Sequence, residues 1–227
     1  MDMTQLYNFN KWNLSLVSNS YLLSRLFDIQ CFYSWTIDND IVLPKTKSVI
    51  SVENVVATGN LSQSVDLVEI NTTFEETEYN PDRFPGLVFR LPTPKTSTLI
   101  FRTGKMVCTG SRSEEQAVVA INKVVQSLKK GGIKIKNKPI CEVQNIVASV
   151  DLGGQIDLEE VARQLPRSMY EPEQFPGVIL RADEPKAVFL IFSSGKLVCT
   201  GTKQEKDIYT AVKKLHTRLE KLDLMIY

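Results

Sequence analysis

The side chains that usually do covalent or metal chemistry are scarce in this chain and badly placed for it. One histidine, His216, stands alone, and the four cysteines, Cys31, Cys108, Cys141 and Cys199, include no CxxC pair. A Cys/His zinc site therefore lacks its ligands. His216 falls beside an apolar helical stripe and is expected at a helix surface or interface. Cys108 and Cys199 are expected to point to the helical layer as small core residues. The pairs Gly104–Lys105 and Gly195–Lys196 lack the upstream glycine and the following helix of a phosphate-binding loop, and read as hairpin turns. No base or nucleophile is set up for catalysis, and no cofactor or metal is called for. What recurs is of another kind: Asn54 and Asn145, Thr109 and Thr200, and the phenylalanines Phe84, Phe101, Phe175 and Phe192. Short hydrogen-bonding groups among large apolar ones suit recognition of a surface.

These residues recur because the body of the chain is one unit written twice. Each of the pairs Asn54/Asn145, Phe84/Phe175, Phe101/Phe192 and Thr109/Thr200 is separated by 91 residues, with no gap. VENVVA at Val52–Ala57 returns as VQNIVA at Val143–Ala148. EYNPDRFPGLVFR at Glu78–Arg90 returns as MYEPEQFPGVILR at Met169–Arg181, and GKMVCTG at Gly104–Gly110 as GKLVCTG at Gly195–Gly201. A gapless repeat of this length means two copies of one supersecondary unit about a pseudo-twofold axis. The expected division is an extension over 1–47, a first repeat over 48–138 and a second over 139–227.

Each copy reads as strand, helix, several strands, helix. Leu67, Ile70 and Phe74, echoed by Leu158, Val161 and Leu165, carry the first helix at helical spacing. The second opens on a capping box, Ser113 with Gln116, and buries Ala117, Ile121, Val124 and Leu128, echoed by Ile208, Val212, Leu215 and Leu219. Gly131–Gly132 ends its first copy. Pro85–Gly86 and Pro176–Gly177 mark bends at strand entrances.

Alternation in the strands sends Val55, Ile100 and Cys108 to one face. The other face receives Asn54 with Val56, Leu99 with Phe101 and Val107 with Thr109. Its second-copy members are Asn145 with Val147, Leu190 with Phe192 and Val198 with Thr200. Both faces are apolar, yet about four one-sided helices can cover only one. The other face is expected to stay open as a binding surface. Its chemistry suits the minor groove of A·T-rich DNA, where the base edges show only acceptors and no guanine amino group intrudes. The phenylalanines could enter base steps as wedges. Arg90/Arg181, Lys95/Lys186, Lys105/Lys196 and Arg112/Lys203 stand around them within reach of phosphates. Lys and Arg number 27 against 26 Asp and Glu, a net charge of +1, so any grip on DNA must come from local placement and shape.

In these residues the chain resembles the TATA-box-binding protein family, archaeal type, from Val52 to about Leu222. The resemblance implies an α+β saddle: two pseudosymmetric repeats forming a curved ten-stranded antiparallel sheet, with four helices on the convex face. It implies a general transcription initiation factor that binds TATA-box DNA in the minor groove, kinks it and recruits transcription factor B and RNA polymerase. Phe84 with Phe101, and Phe175 with Phe192, are the implied intercalating pairs. Asn54, Asn145, Thr109 and Thr200 are the implied polar base contacts, and Val56, Val147, Val107, Val198, Leu99 and Leu190 the apolar floor. Glu171 and Glu173 are the implied contact for transcription factor B. The implied location is the nucleoid region of an archaeal cytoplasm, or the nucleus in a eukaryote. The alternatives are a saddle that takes a protein ligand and an accessory domain of a nucleic-acid enzyme.

The resemblance leaves 1–47 unexplained. That segment holds both tryptophans, Trp12 and Trp35, and no apolar run of membrane-spanning length. Leu16, Leu23, Phe27 and Phe32 could share one side of a short amphipathic helix, or the segment is an extension without a docking role. Many archaeal members also end in an acidic tail, whereas this chain stops at Leu224–Met225–Ile226–Tyr227.

Overall fold

A computed structural model describes residues 48–227 and, ahead of them, the backbone of Ile41–Val42. The helix expected around Leu16 to Phe32 lies outside the described residues. In chain order the elements are β1 (Ile41–Val42), β2 (Val49–Asn60), α1 (Leu67–Thr73), β3 (Thr77–Glu78), β4 (Gly86–Pro92), β5 (Lys95–Phe101), β6 (Lys105–Ser111) and α2 (Glu114–Lys130). The second repeat supplies β7 (Ile140–Asp151), β8 (Gln155–Ile156), α3 (Leu158–Gln164), β9 (Ser168–Met169), β10 (Val178–Asp183), β11 (Lys186–Ile191), β12 (Lys196–Thr202), α4 (Glu205–Lys221) and β13 (Met225–Ile226).

Ten strands form one curved antiparallel sheet in the order β3-β4-β5-β6-β2-β7-β12-β11-β10-β9, so the expected α+β duplication is what the chain adopts. The two repeats meet where β2 pairs with β7 along its whole length, from Val49 opposite Asp151 to Asn60 opposite Ile140. Two short pairings lie outside this path. β1 pairs with the start of β2, Ile41 opposite Ile50, and β13 pairs with β8 in a separate two-stranded sheet.

Side chains from all four helices enter a single core against one face of the sheet. It includes Leu67 and Ile70 of α1, Ile121 and Leu128 of α2, Val161 of α3, and Val212 and Leu219 of α4, packed on Val55, Ile100, Cys108, Ile146 and Cys199. Asp66 and Asp157 cap the short helices, each accepting hydrogen bonds from two backbone N–H groups. At α2 the Gln116 N–H donates to Ser113 Oγ at 3.1 Å, but the Gln116 side chain accepts from the N–H of Arg112, one residue earlier than the usual box closure. The helix ends on Gly131, and Gly132 takes the positive φ of +90°.

The central strands carry a feature that alternation does not show. Glu53 in β2 and Gln144 in β7 are bulge residues, extra relative to the opposing strand. Each bulge shifts the side-chain phase by one. Val52 and Val55, three apart, therefore both pack toward the helices, as do Val143 and Ile146. Asn54 and Asn145 are left on the opposite face immediately after the bulge.

Of the two places expected for His216, a helix surface or an interface, the structure gives the buried one. It is 2% exposed on α4, and its Nδ1 lies 3.0 Å from the equally buried Ser48 hydroxyl just ahead of β2. Its first-copy equivalent, Val125, is also buried, so the position is core in both halves. In the second half Ser48 serves the imidazole's Nδ1, while the buried Nε2 has no hydrogen-bond partner among the described residues and lies 3.5 Å from Glu220 Oε1.

Candidate nucleic-acid interface

The sheet face away from the helices is built outward from the two central strands. Asn54 stands opposite Val147, and Val56 opposite Asn145, so the same Asn–Val pair appears twice about the pseudo-dyad. Each asparagine is held from the next strand. Asn54 Oδ1 accepts from the Gly110 N–H at 2.8 Å, and Asn54 Nδ2 donates to Thr109 Oγ1 at 3.2 Å. Asn145 repeats this with the Gly201 N–H at 2.9 Å and Thr200 Oγ1 at 3.0 Å. Gly110 and Gly201 have φ of +97° and +88° at irregularities of β6 and β12, a region that disfavours side chains. Their N–H groups thereby turn toward the asparagines.

The chemical result follows from the inventory of each group. With Oδ1 occupied by a backbone donor, the amide is oriented, and Nδ2 has one hydrogen beyond the one it gives to threonine. Each threonine hydroxyl also donates back to the same amide, Thr109 Oγ1 to Asn54 Oδ1 at 3.2 Å and Thr200 Oγ1 to Asn145 Oδ1 at 3.3 Å, so the asparagine Nδ2 is the donor left for a ligand. The centre of this face thus offers donors to whatever lies on it. All four groups are half-buried rather than solvated.

Flanking this centre are the apolar residues. Leu99 opposes Val107 and Val88, and Leu190 opposes Val198 and Ile179. The face expected to stay open is free of helix residues, but its two halves differ in exposure. In the first half Leu99 and Val107 are half-buried. In the second half Leu190, Val198, Ile179 and Val188 pack on one another with Val147, Phe175 and Phe192 and are only 6–7% exposed in the case of the first four. No helix residue belongs to that cluster. The side chains shield one another, because cross-strand neighbours of this size stand within contact distance. The asymmetry traces to sequence: Val188 occupies the position that is Ser97 in the first copy, and Ile179 that of Val88.

At each end of the floor two phenylalanine rings meet. Phe84 and Phe101 have centroids 5.9 Å apart at 63°, and Phe175 and Phe192 5.7 Å apart at 58°. Both pairs rest on glycine. A Cβ on Gly86 would lie 2.6 Å from Phe84 Cε1 and 3.1 Å from Phe101 Cε1, and one on Gly177 would lie 2.9 Å from Phe175 Cε1. The Pro-Gly bends therefore do more than turn the chain. Their glycines leave the space into which the rings tilt.

Lys95, Lys105, Lys186 and Lys196 open their strands, while Arg90 and Arg181 lie within β4 and β10. Arg90, Lys95 and Lys105 share strand parity with Val88, Leu99 and Val107, as Arg181, Lys186 and Lys196 do with their counterparts. Arg112 is exposed just beyond β6. Arg90 pairs with Glu78 at 3.0 Å and Lys203 with Glu142 at 2.9 Å. Exposed pairs of this kind are worth little, so a phosphate can displace the carboxylate. Glu171 and Glu173 are exposed in the turn before Phe175, where the Glu171 carbonyl accepts from the N–H groups of Gln174 and Phe175. Cys108 and Cys199 are buried beneath the helices, and burial pushes the Cys199 thiol up to about 12, so it stays protonated.

Two further polar contacts lie across the central strands. Ser149 Oγ donates to Glu53 at 2.7 Å, and Gln144 Nε2 donates to Thr58 Oγ1 at 2.9 Å. These are the same contact in the two halves, with the carboxylate in one and the amide in the other. Thr58 and Ser149 were readable as the i+4 partners of Asn54 and Asn145. Glu53 and Gln144 were not, because plain alternation sends them to the helix side and only the bulges turn them.

Comparison with known proteins agrees with this architecture. The family model for transcription factor TFIID, or TATA-binding protein, matches twice, over residues 49–131 and 140–222. The TATA-box-binding protein of Pyrodictium occultum is 52% identical over 176 residues, covering 78% of this chain and 88% of that protein. The one from Sulfolobus acidocaldarius is 48% identical over 177 residues, covering 78% and 90%. The solved structure of Methanococcus jannaschii TBP superposes with a TM-score of 0.70 at 45% identity, covering 76% of this chain and 98% of that one. With its duplicated unit, ten-stranded sheet and both matched repeats, the chain belongs to the TATA-binding protein family of transcription factors.

Proposed function

We propose that this protein is an archaeal general transcription initiation factor that reads A·T-rich TATA-box promoter DNA in the minor groove. The observation that carries the reading is the pair of oriented asparagine amides, Asn54 and Asn145, each with a spare donor in the middle of an apolar floor. The minor-groove edge of A·T pairs offers adenine N3 and thymine O2, which are acceptors without donors, and a guanine amino group would collide with these spare hydrogens. The phenylalanine pairs act as wedges at the two ends, opening a base step each and bending the duplex away from the floor. Unstacking costs a few kcal/mol per step, a figure that comes from minor-groove architectural proteins including this family rather than from this chain. Burial of the floor against sugars and base edges offsets it at about 25 cal/mol per Å². Flexible TA steps lower the cost and help choose the site. Arg181, Lys186, Lys196 and their first-half counterparts, with Arg112 and Lys203, hold the phosphates. Glu171 and Glu173, exposed beside the second ring pair, meet transcription factor B, which brings RNA polymerase.

The test is a titration of labelled duplexes with end-to-end FRET. An A·T-rich duplex should bind at least about tenfold more tightly than a G·C-rich control, since a mismatched pair costs about 1–3 kcal/mol. The double variant F175A/F192A should keep its fold, bind less tightly and bend the duplex less. Equal affinity for both duplexes, or unchanged bending by the variant, would refute the assignment. Tight binding of a peptide on the floor without any duplex preference would favour a protein ligand instead.

A further inference from the structure

The outer face of α4 carries a second, chemically distinct surface. Tyr209, Lys213, Lys214, Arg218 and Lys221 line a shallow groove of about 690 Å³ that contains no carboxylate. These residues recur at helical spacing on the side opposite the buried Ile208, Val212, Leu215 and Leu219. Lys214 is already used: its Nζ donates to the Glu184 carbonyl at 2.8 Å, as Lys123 does to the Thr93 carbonyl in the first copy at 3.0 Å. Lys213, Arg218 and Lys221 make no ion pair among the described residues.

The duplication supplies an internal control. On α2 the positions of Tyr209, Lys213 and Arg218 hold Val118, Asn122 and Ser127 on the same scaffold, while Lys221 keeps a cation there, Lys130. Fold alone therefore does not require cations at positions 213 and 218, where the two faces have diverged to different chemistry. The stripe also has ends. Glu205 and Asp207 stand in the first turn of α4, and Glu220 in its last turn meets the Tyr227 hydroxyl at 3.4 Å. From Lys213 to Lys221 the rise is about 12 Å. A continuous phosphate track would run over those carboxylates, and the proposed DNA face is on the other side of the sheet. A short acidic stretch of polypeptide, about four extended residues long, fits between them.

We propose that this groove docks an acidic segment of a protein partner, with Lys213, Arg218 and Lys221 pairing its carboxylates and Tyr209 contacting an apolar side chain within it.

The experiment uses the full chain and a fluorescent dodecapeptide of Asp and Glu with one central Phe, followed by anisotropy at low and physiological salt. The wild type should bind it, more weakly as salt rises. The triple variant K213E/R218E/K221E should lose at least about tenfold in affinity, while K130E on α2 should not. All three positions are exposed; if charge reversal unfolds the protein, K213Q/R218Q/K221Q carries the same expectation. Saturation with an A·T-rich duplex should leave peptide binding intact, and the triple variant should keep its duplex affinity. Equal peptide binding by the triple variant and the wild type would overturn the proposal. So would displacement of the peptide by duplex, or a loss of duplex affinity in the triple variant, which would assign the stripe to nucleic acid.

Discussion

Asn54 and Asn145 are each held by one backbone N–H and one hydroxyl, and that economy decides what they can offer. Because Gly110 and Gly201 occupy the amide oxygens, rotation of the amide would set an NH₂ against an N–H donor and strand a half-buried group, which costs about 1–3 kcal/mol. Substitution by aspartate keeps the acceptor for glycine and replaces the spare donor by an anion. N145D should therefore stay folded, with a melting temperature near that of the wild type, while its affinity for an A·T-rich duplex falls by about a hundredfold or more. Wild-type affinity in an anisotropy titration would exclude a base-edge role for this residue. The identity of these residues was legible from their recurrence at a fixed offset among apolar neighbours. The direction of the amide was not, because it is set by a glycine 56 residues further on.

At the scale of elements, the two long helices are built alike but capped differently. The first-turn N–H of α2 finds Ser113, whereas Gln204, just ahead of α4, makes no side-chain cap. The Glu205 N–H donates instead to Glu114 Oε1 at 3.0 Å, so the first helix of the pair helps to cap the second. The arrangement crowds carboxylates. Glu205 is held above the ordinary carboxylate range by burial, and then by the charges of Glu114 and Glu115. A raised folded-state value means that ionised Glu205 opposes folding. The penalty is absent below the unfolded-state value and grows as pH rises through the folded-state one. E205Q should accordingly raise the melting temperature by about a degree or two at pH 7 and by less near pH 4. A pH-independent difference would show that the carboxyl is not perturbed by folding. The helices themselves, their stripes and the Ser113 cap could be read from spacing alone. The cross-cap could not, since it joins residues 91 apart.

The whole molecule is held by the seam between its repeats. β2 and β7 pair over their full 12 residues, and each also carries the outer strands of its own half. Splitting the repeats would expose two long strand edges and divide one core. Unfolding in urea should therefore be a single cooperative transition, with fluorescence and circular dichroism coincident. Two resolved transitions would mean that the halves are independent domains. The seam also places the two asparagines beside each other and leaves the ring pairs at opposite ends, so the spacing between wedges is a property of the assembled sheet rather than of either copy.

Residue order alone determined that there are two equivalent halves, that their helices are amphipathic, and that Asn, Thr and Phe recur where strands are expected. A constant offset and a constant period survive in one dimension because they depend only on local geometry repeated along the chain. The tertiary structure decided the rest. The bulges at Glu53 and Gln144 reset which side chains share a face, and the pairing across the seam aligned the two donors. Gly86 and Gly177 opened room for the rings, and Ser48 met the Nδ1 of His216 in the core. Each of these depends on what a distant segment brings within a few ångströms, and no local period encodes that.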